Sequence, residues 1–181
     1  MDCLLDLKNT HNIQHQDVEE VRIGMLSAGW GLVAAPEEYK RNPTSVVDMQ
    51  FSMPFSAAAA LVYGRASLAE YAPGVPERAE VKNIMDRTRC VADPQLDAAY
   101  PKQFRAWAEV QTKDGRSVRS DIEYPKGDPE NALSWDEMKE KFLSISSPVI
   151  SANRQSEIIA RIGSLEEMTD ARELAALLVT E

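Results

Sequence analysis

The sequence predicts an α+β fold: a mostly antiparallel sheet of about four strands packed on helices, followed by a C-terminal helical tail. Three observations carry that expectation. Around residues 104–124, Phe104, Ala106, Ala108 and Val110 alternate with Arg105, Trp107, Glu109 and Gln111. After Asp114-Gly115, Val118, Ile122 and Tyr124 alternate in the same way, which is the pattern of a β-hairpin with one buried face. Second, residues 50–71 are poor in charge and contain four consecutive alanines, Ala57 to Ala60, which favour a helix that a neighbour can approach closely. Third, from about residue 134 onward the apolar spacing is helical to the end.

Taken in order, residues 2–10 predict a short amphipathic helix with Leu4, Leu5 and Leu7 on its apolar face. A polar turn follows over 11–16. Residues 18–25 read as a strand with Val21, Ile23 and Met25 on one face and Glu20, Arg22 and Gly24 on the other. Residues 27–44 are rich in Gly, Pro and small side chains and read as a long loop, a kind of segment that often carries function. Ser45 with Asp48 gives a cap for the central helix, whose regular part starts near Phe51 because Pro54 fits only the first turn. Gly64 stops that helix, and Ser67 with Glu70 has the spacing of a capping box. Pro73-Gly74 marks a turn, Pro76 opens a helix through Val81, Ile84 and Met85, and 89–92 is a short strand. Residues 93–103 read as a loop and Asp114-Gly115 as a two-residue type I′ turn. Beyond Pro125, Ser134 with Glu137 and Ser164 with Glu167 have capping-box spacing for helices in the tail. These divide the chain into an α+β domain, 1–132, and C-terminal helices, 133–181. The apolar stripes of those helices are too wide for about 50 residues to bury among themselves, so they call for a partner surface.

Bulk properties narrow the function classes. A 181-residue chain that is 44% hydrophobic can build a core. The net charge of −9 argues against general binding to nucleic acids or anionic membranes, both of which require a basic face. No apolar run approaches the ~20 residues of a membrane span. Cys3 and Cys90 lack metal-ligand spacing and read as reduced thiols of a cytoplasmic protein. No cofactor or metal site is expected. His11 and His15 have the spacing of a helical zinc pair but no third ligand, so a solvated turn is the simpler reading. Ser52 and Ser56 have no nearby histidine to activate them. Gly29-Trp30-Gly31 lacks the continuation of a phosphate loop. Asp48 suits the first turn of a helix. The basic pairs Lys40-Arg41 and Arg87/Arg89 read as solvated charges, with an anionic ligand as the alternative.

The phrases QFSMPFSAAAALVYG, SLAEYA, IMDRT, WAEVQTKDGRSV and YPKGDPENALSWDEMKEKF, in that order, resemble the MmgE/PrpD family of 2-methylcitrate dehydratases, cis-aconitate decarboxylases and iminodisuccinate epimerases. Ala132 stands where proline is usual. The resemblance covers essentially the whole chain and implies the family's α+β lid domain plus helices that return to a large helical domain. It further implies that the aspartate, histidines and lysines of proton abstraction belong to that helical domain. One catalytic position falls within the match: Phe55 stands where relatives carry an active-site tyrosine, and a phenyl ring cannot donate a proton. The implied function is the lid portion of a lyase acting on di- or tricarboxylates, 2-methylcitrate dehydratase-like and inactive alone. The implied partners are a polycarboxylate substrate and either a second copy of the chain, as in a dimer, or a helical partner chain. The competing reading is a non-catalytic remnant or dimerisation module.

Overall fold

The computed structural model describes residues 1–179; Thr180 and Glu181, the last two residues of the expected tail, lie outside them. The described residues form two compact units, 1–131 and 132 onward.

The first unit begins with α1 (Asp2–His11), which ends at Asn12 in a left-handed conformation. A single 3-10 turn leads into β1 (Val18–Met25), with the bounds its alternation predicts. Residues 27–44, expected as a loop, instead hold two short helices, α2 (Ser27–Val33) and α3 (Glu37–Lys40). The glycines flanking Trp30 lower helix propensity, and packing overrides that weak preference. The expected single central helix is two helices. Ser45 caps α4 (Val46–Gln50) by accepting from the Asp48 amide, and Ser52 caps α5 (Met53–Tyr63) by accepting from the Phe55 amide. Pro54 sits in the first turn of α5, where its missing N–H costs nothing. Gly64 ends α5 with φ 69°, and the Ser67/Glu70 capping box forms with both of its hydrogen bonds.

Next come α6 (Ala79–Arg87), which starts three residues after Pro76, and β2 (Thr88–Ala92). The expected loop at 93–103 contains α7 (Pro94–Asp97), capped by Asp93. β3 (Ala106–Thr112) and β4 (Ser117–Ile122) make the hairpin. Its turn is not type I′, which requires φ > 0 at both central residues. Only Gly115 has positive φ, and the Gly115 amide donates to Thr112 O while the Thr112 amide donates to Arg116 O. Those bonds define a three-residue loop with glycine at the left-handed position.

The sheet order is β2-β1-β3-β4. β1 pairs antiparallel with β3, and β3 with β4, but β1 pairs parallel with β2. The sheet is therefore mixed, which corrects the expectation of a mostly antiparallel one. The helices of 26–87 make a crossover, and a crossover connection permits β2 to return beside β1 in the same direction. Local periodicity carries no signal for that pairing.

Helices α1, α5 and α6 pack on one face of the sheet. Val18, Val21 and Ile23 of β1 meet Ala108 and Val110 of β3 there, with Leu4 and Leu7 from α1 and Ile84 and Met85 from α6. Ala57, Ala58, Ala59 and Ala60 are all fully buried, so α5 is enclosed on every side. Lys8 of α1 donates to Leu61 O at 2.6 Å, placing a cation at the C-terminal end of α5, where the helix dipole favours it.

The opposite face is polar apart from Val91 and Trp107. Trp107 is buried there, although its place in the alternation assigns it to the exposed side. It lies across from Gly24, which leaves the room the indole occupies. The Arg119 guanidinium covers the ring at 4.4 Å from its centroid, and Asp93 Oδ2 accepts from Nε1 at 2.8 Å. Asp93 thus caps α7 and anchors the indole together.

The second unit contains α8 (Trp135–Ser146), α9 (Ala152–Gly163) and α10 (Arg172–Leu177). The Ser134/Glu137 capping box forms, whereas Ser164 makes no side-chain cap. Gln155 of α9 donates to Leu143 O and to Ser146 Oγ, tying α9 to α8, and Ile158 is fully buried. Trp135, Met138, Ile145 and Val149 remain exposed.

A Cβ added at Gly24 would fall 2.0 Å from the Trp107 ring, while one at Gly31 meets nothing within 4 Å. Gly24→Ala is therefore expected to lower unfolding stability by about 1–3 kcal/mol through overpacking. Gly31→Ala, in α2, should be neutral or stabilising by up to about 1 kcal/mol. Urea denaturation of the two variants checks the contrast.

Candidate functional site

The site is built around the segment from α3 to the start of α5, because the sequence's basic groups and the Phe55 position converge there. Lys40 is buried; its Nζ donates to Leu32 O at 2.6 Å and sits 5.6 Å from the centroid of the Tyr39 ring. Ser52 Oγ donates to Lys40 O at 2.5 Å and accepts from the Phe55 amide at 3.0 Å. One hydroxyl therefore joins the end of α3 to the start of α5. Lys40 is an internal tie and not a surface charge, and Ser52, with its hydroxyl engaged on both sides, is a cap.

Arg41 runs the other way. Its Nη2 donates to Thr88 O at 2.6 Å and it is ion-paired with Glu37, one turn earlier on α3. Arg89 lies 3.8 Å from the same carboxylate. The two basic pairs seen in the sequence thus meet around Glu37 and Thr88 through one member each. Arg87 is instead held by Val18 O at 2.9 Å and by Glu19. Arg41 also lines a pocket of about 240 Å³ with Asn42, Pro43, Thr44, Pro76, Glu77, Lys82 and Met85. Lys82, from α6, donates to Asn42 Oδ1 at 2.9 Å and lies 3.6 Å from Asp86. Sequence reading missed Lys82 and Asn42, which are distant in the chain and carry no motif.

Asp48 organises the rim nearby. It accepts from Tyr39 Oη at 2.7 Å, Thr44 Oγ1 at 2.9 Å and the Thr44 amide at 3.2 Å. These donors, Tyr39 foremost, hold its carboxyl well below the usual carboxylate range. The same bond pushes the Tyr39 phenol up.

Phe55 is fully buried, with its ring edge against Tyr71 at a centroid distance of 5.3 Å and an interplanar angle of 63°. His11 closes α1 and His15 opens the following 3-10 turn, with left-handed Asn12 between them, so they do not share a helix face. Among the described residues no group of three or more His, Cys, Asp or Glu could hold a metal. Cys3 and Cys90 are free thiols; burial pushes both up, Cys90 to about 12. Trp30, on α2, lines a smaller cavity of about 110 Å³ with Ala35, Pro54 and Cys90. Chemically, the arrangement presents cations that are already paired, Arg41 with Glu37 and Lys82 with Asp86, while the Asn42 side-chain amide donates to Glu38 O and accepts from Lys82.

The comparisons with known proteins agree with the order of the sequence phrases. The model of the MmgE/PrpD C-terminal domain matches residues 1–167. The chain belongs to the MmgE/PrpD family, and what it contains is the family's C-terminal domain. It is 32% identical over 173 residues to a cis-aconitate decarboxylase-like protein of Aspergillus oryzae, an alignment covering 94% of this chain and 34% of that protein. The chain spans about a third of the length of the curated relative it matches. No helix among the described residues is long and apolar enough to cross a membrane.

The depressed Asp48 carboxyl sets a pH dependence. Its folded pKa lies below the ordinary aspartate value, so its contribution is present above that value and is lost as pH falls through the folded pKa. Asp48→Asn is expected to be less stable than the parent at about pH 6, with the gap narrowing steadily as pH falls below about 4. Thermal melts across that range check this; parallel curves would contradict it.

Proposed function

We propose that this chain supplies the lid and C-terminal helices of a cofactor-independent lyase acting on di- or tricarboxylates. The observation that carries the reading is the family match over residues 1–167. Removing water or carbon dioxide from a polycarboxylate requires a base at the carbon acid and cations for the carboxylates. The chain contributes cations, at Arg41 and Lys82, beside the pocket they line. In this reading the base and acid come from a helical domain, on the same polypeptide or another, and the exposed apolar residues of α8 support docking to it. The relative's name makes cis-aconitate the first substrate to test, with 2-methylcitrate second. The Phe55 position then contributes packing at the base of the lid, because a phenyl ring has no proton to transfer and this one is enclosed against Tyr71.

One experiment tests the assignment. The chain is assayed for loss of cis-aconitate and 2-methylcitrate, by itself and with a helical-domain polypeptide of the family, using the parent and Phe55→Tyr. The expected result is turnover only in the combination. Phe55→Tyr should give no gain in kcat and a stability loss of about 1–3 kcal/mol, the cost of burying a hydroxyl without a partner. No complex and no turnover would favour the non-catalytic dimerisation module; a rise in kcat for Phe55→Tyr would return a catalytic role to that position.

A further inference from the structure

We propose that the free edge of β4 is the surface through which two copies of this chain pair, antiparallel about an axis at Ser120, joining their four-stranded sheets. The inference rests on strand geometry and charge order and does not depend on the lyase reading.

β4 is the last strand in the order β2-β1-β3-β4, so one of its sides has no neighbouring strand. The hairpin shows which groups line that side. The Thr112 amide donates to Arg116 O where the loop closes, and successive residues of an antiparallel strand turn their N–H and C=O groups to alternate sides. Arg116, Val118, Ser120 and Ile122 therefore turn theirs to β3, while Ser117, Arg119 and Asp121 turn theirs outward. Among the described residues nothing hydrogen-bonds to those outward backbone groups. An edge of this kind is a template for another strand.

Charged side chains usually discourage such pairing, and Arg119 and Asp121 are both exposed. Here the order of the signs decides. With the axis at Ser120, Arg119 of each copy faces Asp121 of the other, Val118 faces Ile122, and the small Ser120 faces its counterpart. Residues 119 and 121 then form the hydrogen-bonded pairs, so backbone and side chains select the same register. The two neighbouring registers centre on Arg119 or on Asp121 and set like charges face to face, which is destabilising. Arg119 is already ordered for the contact: it donates to both Asp121 carboxylate oxygens of its own chain, at 2.8 and 2.7 Å, and lies 4.4 Å from the Trp107 ring centroid. On the helix-covered side, Val118 and Ile122 are only partly buried against the core, so their contacts across the axis extend that core into the second copy. The opposing term is Asp6 of α1, which accepts from Ser120 Oγ at 2.7 Å and from Thr10 Oγ1 at 3.1 Å. Two Asp6 carboxylates approach the axis, and their repulsion keeps the pairing reversible and dependent on concentration.

The test is sedimentation equilibrium of the full chain over a wide concentration range, with backbone amide exchange followed by ¹H–¹⁵N NMR at the low and high ends. A monomer–dimer equilibrium is expected, with the Arg119 and Asp121 amides gaining protection only at the high end. Asp121→Arg, a change at an exposed position, sets arginine opposite arginine and should weaken dimerisation at least about tenfold. Asp121→Asn removes only the charge and should fall between that variant and the parent. Thermal melts at the low end are the folding control. Three results would each overturn the proposal. One is a chain that stays monomeric throughout. Another is a dimer whose Arg119 and Asp121 amides exchange as they do in the monomer, the outcome of association through the exposed apolar residues of α8. The third is a folded Asp121→Arg variant that dimerises as the parent does.

Discussion

The structure of the first unit depends on how closely other elements can approach α5. Ala57 to Ala60 present only methyl groups, and each is fully buried. A helix apolar all round its circumference is stable only when enclosed. Here α1 and α6 pack against it, and larger side chains such as Phe55, Leu61, Ile84 and Met85 fill the space between. Both ends of α5 are anchored from elsewhere in the chain. Ser52 ties its start to Lys40 O, and Lys8 holds Leu61 O near its end. The positions of the 41–44 segment and of α6, and with them the Arg41–Lys82 pocket, follow from that arrangement.

Much of this was legible because local chemistry decided it. Ser45, Ser67 and Ser134 cap where their spacing to Asp48, Glu70 and Glu137 predicts, and Gly64 supplies the left-handed stop. β1 and the hairpin follow from alternation alone. What was not legible depends on contacts between distant segments. The parallel β1–β2 pair leaves no mark on either strand's pattern. The two helices in 27–44 have poor propensity around Trp30 and form in a packed context. Trp107 belongs by alternation to the exposed face, and only the absence of a side chain at Gly24, with Arg119 above and Asp93 at the edge, makes room for its burial.

The candidate site divides in the same way. Lys40-Arg41 and Arg87/Arg89 could be seen as cations but not sorted. Folding makes Lys40 an internal tie, fixes Arg41 against Thr88 and Glu37, and brings in Lys82, which no motif announced. The Phe55 position was legible only through the family resemblance. Its surroundings are those of a packed aromatic pair with Tyr71.

Native-state hydrogen exchange tests the central role of α5 most directly. If the enclosed alanine helix holds the first unit together, the amides of Ala58 to Leu61 will exchange only through global unfolding, with the same free energy and denaturant dependence as the paired amides of β1 and β3. Exchange of α5 through a smaller opening, while the β1–β3 amides stay protected, would contradict that account.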